Sequence, residues 1–306
     1  MTRTFTSAAT IDDALSALAS GARPVAGGTD LVVGARQGKA PLPDAIVAID
    51  RIEELRGIAE SDGGAVRLGA LVTHEELAGS AVIRERVTAL ADAAAIVGSH
   101  ATRAQGTIGG NVMNASPAMD TGGALLCFGA SGILRSPGGE RSVALDELWT
   151  GPGATVAEPG ELLVAIDVPA AAQGTGSAYV RLEYRRHMEI AVVGATAVVT
   201  VDGDAVSDAR VAITALAPTI RRVPEAETAL TGSDGGDGAV GEAARAVAAA
   251  STPISDVRGS AEYRAAMAEV IARRAITAAL RRARGDEVPI PASASTYGAA
   301  RIGADG

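Results

Sequence analysis

The chain has 306 residues, of which 47% are hydrophobic and 21% charged, a length that serves about two domains. This apolar content excludes a disordered chain, and the net charge of −9 argues against a surface for nucleic acid. The single cysteine, Cys127, excludes both an internal disulfide and the four-cysteine ligation of an ordinary iron–sulfur cluster. The three histidines, His74, His100 and His187, show no metal-ligand spacing.

The N-terminal segment is polar over residues 1–10 and lacks the apolar stretch of a signal peptide. The longest mostly apolar run covers residues 191–201, well short of the roughly 20 residues that cross a bilayer. We therefore expect a cytoplasmic protein with no membrane span.

The first half of the chain predicts short alternating helices and strands. Apolar residues at helical spacing predict a helix over residues 11–19, with Thr10 and Asp13 as a capping box. A second capping box opens a helix at Thr73, and a longer helix is expected over residues 81–96. Strands are expected at residues 24–26, 45–49 and 65–71.

Two further segments of the first half are less regular. Residues 97–117 are dotted with glycine, and the first half of this segment shows neither a helix nor a strand pattern. Residues 124–130 form an apolar run around Cys127.

A stretch rich in glycine, proline and small residues around 151–176 predicts a domain boundary. The second half then predicts strands at residues 178–182, 190–201 and 209–215, with a turn at 202–204. A long helix is expected over residues 262–284, with Met267, Ile271, Ala275 and Ala278 on one face. We predict a domain over 1–172 (subdomains about 1–56 and 57–172), a second over 173–286, and a loose tail over 287–306.

Two glycine segments have the features of an anion-binding loop. The first is Ala26-Gly27-Gly28-Thr29-Asp30-Leu31, directly after a predicted strand, and the second is Gly106-Thr107-Ile108-Gly109-Gly110-Asn111. Adjacent glycines let the backbone approach an anion closely, and successive N–H groups can form a nest. Such charge-assisted hydrogen bonds contribute about 1.5–3 kcal/mol each. Either segment alone is compatible with a tight turn, but two of them in one half of the chain favour a bound pyrophosphate.

The two loops also resemble a known family, the FAD-binding medium subunits of molybdenum hydroxylases. This family includes the medium chain of carbon monoxide dehydrogenase and the flavin domain of xanthine dehydrogenase. The most specific part of the resemblance is Thr107-Ile108-Gly109-Gly110-Asn111 followed by Ala115-Ser116-Pro117 and Asp120. It extends over nearly the whole chain, through residues 151–153, 159–163, Pro169, 185–191 (similar to the family's R-R-x-M-D-x-A) and 256–264.

The resemblance implies an α+β protein. Its first domain would have the two-subdomain FAD-binding fold of the vanillyl-alcohol oxidase or PCMH type, with the flavin between the subdomains. A smaller α+β domain with an antiparallel sheet and helices would follow.

The resemblance also implies which residues bind FAD, by position in the two loops and in five further places. Asp120 matches an acidic FAD contact, and because phosphate repels a carboxylate we expect it to accept from ribose hydroxyls. Arg181 stands where the family commonly has lysine, and we hypothesise that this cation stabilises anionic reduced flavin. No catalytic residue and no metal ligand is expected. The full set of expected cofactor-binding residues is Ala26, Gly27, Gly28, Thr29, Asp30, Leu31, Val97, Thr107, Ile108, Gly109, Gly110, Asn111, Ser116, Asp120, Leu163 and Arg181.

Besides Arg181, four residues depart from the family pattern outside the glycine pairs. His100 and Ala101 replace residues that are commonly proline and glutamine, and Gln105 stands where arginine is frequent. Glu189 replaces the more usual aspartate. The first three would alter a loop that faces the partner iron–sulfur subunit.

The function implied is electron transfer within a multi-subunit molybdenum hydroxylase. FAD on this chain would take electrons from two [2Fe-2S] clusters of a small subunit and pass them to an external acceptor, while a large subunit holds molybdopterin. One alternative is an assembly subunit of the same fold with weak or absent FAD. Another is a self-sufficient flavin oxidase, for which the sequence offers no good catalytic His or Tyr.

The remaining chemistry-bearing residues have ordinary interpretations. His74 is expected at a helix N-terminus as a surface or capping residue, His187 as a solvated residue, and Cys127 as a buried small hydrophobe. Residues 236–241 match G-x-G-x-x-G, but a polar loop precedes them instead of a strand, so they predict a surface loop. The arginines near the end of the last helix complement its dipole, with a docking surface for a partner as the alternative; they are Arg273, Arg274, Arg281, Arg282 and Arg284.

Overall fold

The computed structural model describes residues 3–38, 40–185 and 188–293. The chain divides into two compact units, each assembled from segments that are distant in sequence. Unit 1 comprises Met1–Glu76, Ser99–Ser116 and Gly129–Ala170, and unit 2 comprises Leu77–Gly98, Pro117–Phe128 and Ala171–Gly306. Two segments of the first half thus lie in the same unit as the C-terminal half, whereas the sequence predicts one continuous domain over residues 1–172.

The elements are numbered in chain order. The strands are β1 (Thr4–Ser7), β2 (Arg23–Val25), β3 (Ala45–Ala48), β4 (Ile58–Glu60), β5 (Val66–Gly69), β6 (Ser131–Ser136), β7 (Gly139–Ala144), β8 (Trp149–Gly151), β9 (Ala154–Thr155), β10 (Leu162–Val168), β11 (Thr175–Leu182), β12 (Val193–Asp202), β13 (Ala205–Thr214) and β14 (Arg221–Arg222). The helices are α1 (Ile11–Ala19), α2 (Leu31–Arg36), α3 (His74–Gly79), α4 (Ala81–Arg86), α5 (Thr88–Ile96), α6 (His100–Gln105), α7 (Ile108–Asn114), α8 (Asp120–Cys127), α9 (Leu145–Leu148), α10 (Pro224–Leu230), α11 (Asp237–Ala250) and α12 (Ala261–Ala283), with a 3-10 helix at Glu53–Leu55.

Unit 1 contains a parallel sheet in the order β1-β3-β2, an antiparallel sheet in the order β4-β5-β10-β6-β7, and the small pair β8-β9. Helix α1 has the predicted bounds and capping box, since Thr10 Oγ1 accepts from Asp13 N–H at 3.1 Å and Thr10 N–H donates to the Asp13 carboxylate. Its apolar face, with Ile11, Leu15 and Leu18, forms one core cluster with strand residues of both larger sheets. The spacing of apolar residues was sufficient to predict this face.

Helices α6 and α7 of unit 1 were not predicted. They have only six and seven residues, too few turns for a hydrophobic period to show. Their N-terminal caps are visible in the sequence, since Ser99 Oγ accepts from Thr102 N–H at 3.2 Å and Thr107 Oγ1 accepts from Gly110 N–H at 3.1 Å. The predicted cap at Thr73 is confirmed, because Glu76 N–H donates to Thr73 Oγ1 and the Glu76 carboxylate accepts from Thr73 N–H at 2.7 Å.

Unit 2 contains an antiparallel sheet in the order β11-β12-β13-β14, so the α+β class is as predicted. Strands β12 and β13 form the expected hairpin, with Asp202 opposite Ala205 and a left-handed turn residue at Gly203 (φ +59°). The first seven residues of β12 are buried, which explains the long apolar run in the sequence. Helix α12 adds Ile271, Ala275 and Ala278 to the core of this unit, as predicted.

The predicted helix over residues 81–96 is two helices. Val87 separates α4 from α5 with a non-helical backbone (φ −135°, ψ 50°) and is 1% exposed. Two adjacent β-branched residues, Val87 and Thr88, weaken the helix at this point, and burial of the Val87 side chain accompanies the break.

The apolar run around Cys127 belongs to α8, whose eight residues are all buried, and a helix buried on every side shows no amphipathic period. Cys127 is buried, as expected.

The tail is ordered further than the sequence predicts. Arg282 donates to the carbonyls of Val288 and Pro289, and Ala292 N–H donates to Asp92 at 2.9 Å, so the chain is fixed up to residue 293. Arg282 also pairs with Asp92 at 2.6 Å, which gives it a role beyond the helix dipole.

Residues 236–241 open helix α11, with Gly236 as N-cap, and follow a turn after α10; this segment is therefore largely helical, not a loop, and no strand precedes it.

No helix in the described ranges is both long enough and apolar enough to span a bilayer. Within those same ranges, no three His, Cys, Asp or Glu side chains are grouped so that they would hold a metal ion.

Candidate functional site

The first glycine loop connects β2 to α2 in unit 1. Gly28 has a left-handed backbone (φ +67°), and its carbonyl accepts from Val32 N–H at 3.0 Å, so the loop turns sharply into the helix. In the part of the chain that the structure describes, the backbone N–H groups of Gly27, Gly28 and Thr29 have no protein acceptor. Unpaired consecutive N–H groups beside a left-handed glycine are the donor set that an oxyanion requires.

Gly27 is required by packing. A Cβ at this position would overlap the carbonyl oxygen of Gln105, the last residue of α6. The backbone of Gly27 therefore packs directly against the backbone of Gln105. Glycine is needed at this position for packing within the protein more than for the approach of an anion.

The second glycine loop differs from what the sequence predicts. Among the described residues, five of its six backbone N–H groups have protein acceptors, so these five are not available to a pyrophosphate. A Cβ at Gly109 would lie 2.6 Å from the Ala70 carbonyl oxygen, which again makes this glycine a packing residue. The five bonds are Gly106 N–H to Thr102 O (2.7 Å), Ile108 N–H to Val72 O (2.8 Å), Gly109 N–H to Ala70 O (2.9 Å), Gly110 N–H to Thr107 Oγ1 (3.1 Å) and Asn111 N–H to Thr107 O (2.9 Å).

The two loops are nevertheless neighbours within unit 1. Gly106 precedes α7, and the point that a Cβ on Gly106 would occupy lies 3.4 Å from Thr29 Oγ1 of the first loop. The second loop thus supports the first through its backbone. Direct contacts from Thr107, Asn111 and Ser116 to a cofactor stay predictions.

Asp120 and Arg181 come together in unit 2. Arg181 Nη1 donates to Asp120 Oδ2 at 2.8 Å, and Tyr179 Oη donates to Asp120 Oδ1 at 2.6 Å. Arg181 also pairs with Glu183 at 2.6 Å and donates to the Ile96 carbonyl at 2.9 Å. The sequence does not predict this network, because Asp120 lies 61 residues before Arg181.

The network has one cation and two carboxylates. The side chain of Arg181 is 0% exposed, whereas Asp120 as a residue is 8% exposed. Burial raises the pKa of Asp120, and the neighbouring Arg181 charge opposes that shift. Burial, followed by the Asp120 carboxylate, raises the pKa of Tyr179, so the phenol keeps its proton and remains a donor.

The burial of Arg181 weighs against the hypothesis that it touches flavin. A side chain with no exposed surface and with its guanidinium bound to two carboxylates and a carbonyl offers no atom to a ligand. Its observed role is to neutralise the negative charges of Asp120 and Glu183. A contact from Asp120 to the cofactor stays a prediction.

The two expected apolar contacts lie in different units. Leu163 is in β10 of unit 1, opposite Leu134, and is only 3% exposed. Val97 is the C-terminal cap of α5 in unit 2 and is partly exposed. A cofactor contact from either residue stays a prediction.

Two of the residues that depart from the family pattern, His100 and Glu189, have local partners. His100 Nδ1 accepts from Arg103 Nη2 at 2.9 Å, since arginine is always the donor. Glu189 pairs with Arg185 at 3.2 Å. His187 lies outside the described residues.

His74 lies in the first turn of a helix, as the sequence predicts, but it is not a surface residue. The sequence predicts a surface or capping residue there, whereas His74 is 2% exposed and its backbone N–H donates to the Gly106 carbonyl at 3.0 Å. The capping box at Thr73 places His74 in the first turn of α3, but a cap does not show which side of that turn faces the core.

The first loop has the donors that an FAD diphosphate requires. Three consecutive N–H groups at a left-handed glycine, and the Thr29 hydroxyl beside them, have no partner among the described residues and match the acceptors of a diphosphate.

Comparison with known proteins gives two family matches. Residues 1–171 match the family described as FAD binding domain in molybdopterin dehydrogenase, and residues 178–279 match the CO dehydrogenase flavoprotein C-terminal domain. The matches lie on either side of the boundary predicted at 172.

Curated relatives match over most of their length. The medium chain of carbon monoxide dehydrogenase from Hydrogenophaga pseudoflava is 37% identical over 265 residues, 87% of this chain and 91% of that one. The xanthine dehydrogenase FAD-binding subunit of Escherichia coli O157:H7 is 30% identical over 281 residues, 91% of this chain and 96% of that one.

A solved structure shows the same fold. The carbon monoxide dehydrogenase of Hydrogenophaga pseudoflava that lacks the Mo-pyranopterin moiety contains a chain that superposes with a TM-score of 0.87 and 35% identity. The superposition covers 92% of this chain and 98% of that one.

Proposed function

Since the chain belongs to the family of FAD-binding medium subunits of molybdenum hydroxylases, we propose that it transfers electrons from the iron–sulfur clusters of a partner chain to an external acceptor. Its relatives are subunits of oxidoreductases, and FAD is the cofactor of its first family domain. The observation that supports the proposal most directly is the set of unpaired amides at Gly27, Gly28 and Thr29. We place the complex in the cytoplasm, with a large molybdopterin subunit and a small iron–sulfur subunit as partners.

When bound, FAD supplies the redox chemistry, because a flavin can exchange single electrons with clusters and an electron pair with an acceptor. The residues of this chain bind and orient it. The loop at 27–29 donates N–H groups to the diphosphate, while α6 and α7 hold that loop through the Gln105 carbonyl and Gly106. None of the described residues that this account uses has to transfer a proton.

The proposal is tested by anaerobic mixing in a stopped-flow instrument. The full chain loaded with FAD is mixed with the dithionite-reduced iron–sulfur subunit that copurifies with it, and the visible absorbance of the flavin is followed. Loss of the oxidised flavin spectrum at a rate that depends on the concentration of the iron–sulfur subunit is the expected result.

Two outcomes would overturn the proposal. A full chain that retains no added FAD would indicate an assembly subunit. The chain would be a self-sufficient oxidase if the reduced clusters fail to reduce its flavin, while an organic substrate reduces the flavin in the isolated chain.

A further inference from the structure

His74 is a buried titratable group beside the first glycine loop that the proposed function does not yet use. It begins α3 in unit 1, and its side chain is almost completely removed from solvent. Its backbone N–H donates to Gly106 O at 3.0 Å, so the main chain of His74 is held beside the start of the second loop.

One edge of the imidazole faces the first loop. The point that a Cβ on Gly106 would occupy is 3.3 Å from His74 Cδ2 and 3.4 Å from Thr29 Oγ1. Thr29 Oγ1 and the Cδ2 edge of the ring therefore border the same small space. Nε2 is bonded to Cδ2 and belongs to this edge, whereas Nδ1 belongs to the other.

The environment of Nδ1 determines where the proton sits. Nδ1 is completely buried and has no hydrogen-bond partner among the described residues. A buried N–H without an acceptor is rarer and more costly than an unused lone pair. We therefore assign the proton to Nε2, on the edge that faces Gly106 and Thr29.

The ring is neutral at physiological pH. Burial, followed by the charge of Arg103, lowers the pKa of His74 to about 4. A neutral imidazole with Nε2–H is a hydrogen-bond donor, and Nε2 has no acceptor among the described residues. The donor is thus left over in the protein itself, next to a loop whose own N–H groups also lack acceptors.

We propose that His74 is a further cofactor-contact residue, which donates its Nε2–H to the diphosphate that the Gly27–Thr29 amides bind. This inference rests on the proposed function, since it requires FAD in that loop. It gives one reason for a buried histidine at this position: an apolar side chain of similar size would fill the space but donate nothing.

Two variants of the full chain separate donation from packing. His74→Gln keeps an N–H donor at the ε position, whereas His74→Met has a similar length and no donor. Dissociation constants are measured by titration calorimetry for FAD, ADP and riboflavin, of which the first two contain a diphosphate and the third contains no phosphate. Thermal unfolding without ligand shows whether each variant is folded.

The expected result is a selective loss. His74→Met weakens the binding of both FAD and ADP by about tenfold or more, which is the contribution of a hydrogen bond to a charged group. The affinity for riboflavin is unchanged. His74→Gln restores both diphosphate ligands to within about threefold of the parent chain.

Equal effects of Met and Gln, or an equal loss for riboflavin, would show that His74 only packs, and would overturn the inference. The failure of the proposed function is distinguishable, because in that case the parent chain itself would not bind FAD.

Discussion

Arg181 lies in a position with no solvent exposure, where the chain itself supplies its counterions. Asp120 is 2.8 Å from one guanidinium nitrogen and Glu183 is 2.6 Å from another. Because a charged group that loses its partner inside a protein keeps its full desolvation cost, the pair is more sensitive to deletion of one member than to replacement of both.

The first prediction concerns this residue. Arg181→Met should lower the free energy of unfolding by about 3–5 kcal/mol, since it leaves the buried Asp120 carboxylate and the partly buried Glu183 carboxylate without a cation. Urea unfolding of the full chain measures the effect. Arg245→Met is the matched control, because Arg245 lies exposed on α11 of the same unit and should change the free energy of unfolding by no more than about 0.5 kcal/mol.

The same variant tests the alternative role of Arg181. If Arg181→Met unfolded at the urea concentration of the parent chain but shifted the reduction potential of bound flavin, Arg181 would be a flavin contact after all.

The sequence could identify Arg181 as a cation of interest, but the acids that neutralise it are 61 residues away (Asp120) and two residues away (Glu183). Only the fold shows that both face it.

At the scale of elements, the first glycine loop depends on close contact with α6. Gly27 and Gly34 provide a matched pair of positions. A methyl group added at Gly27 would meet a backbone carbonyl, whereas one added at Gly34, within α2, would have nothing within 4 Å. Both would become alanine, so the chemistry of the change is the same.

The second prediction follows from this difference. Gly27→Ala should displace the loop, weaken FAD binding by more than about tenfold and destabilise the chain by about 1–3 kcal/mol, because the new methyl group must displace backbone. Gly34→Ala should leave FAD binding unchanged and stabilise α2 by up to about 1 kcal/mol. Titration with FAD and thermal unfolding of both variants measure the two effects, and similar FAD affinities would contradict the packing argument.

Prediction from sequence succeeded for elements with a local signature. The capping boxes at Thr10 and Thr73 and the apolar face of α12 require only neighbouring residues to be recognised. It failed for α6 and α7, which are too short to show a period, and for α8, which is buried on every side. In these elements the tertiary environment determines which residues are buried.

For the whole molecule, the main structural fact is that the chain crosses between units. Helix α5 belongs to unit 2, where Ala89 N–H donates to Ser177 Oγ at 3.0 Å and Asp92 accepts from Tyr179 N–H at 3.1 Å. Asp92 also pairs with Arg282 of α12. These partners of α5 all lie beyond residue 171.

The third prediction is that a fragment of residues 1–171 does not fold like the same residues in the full chain. It would leave Asp92 buried without a donor or would expose the apolar faces of α5 and α8, and both are costly. Limited proteolysis should cut the fragment within residues 77–98 and 117–128, while the full chain resists at those sites. Equal resistance of the fragment and the full chain would contradict the division into units.

The sequence alone determined that this chain is an α+β protein with two glycine loops of a flavin-binding family, because caps, glycine pairs and apolar runs are properties of neighbouring residues. The tertiary structure decided that, among the described residues, the first glycine loop keeps three consecutive N–H groups without acceptors, that Arg181 neutralises Asp120 and Glu183, and that His74 is buried near Thr29. These outcomes depend on contacts between residues far apart in the chain, since burial and hydrogen-bond partners are decided only when distant segments pack together.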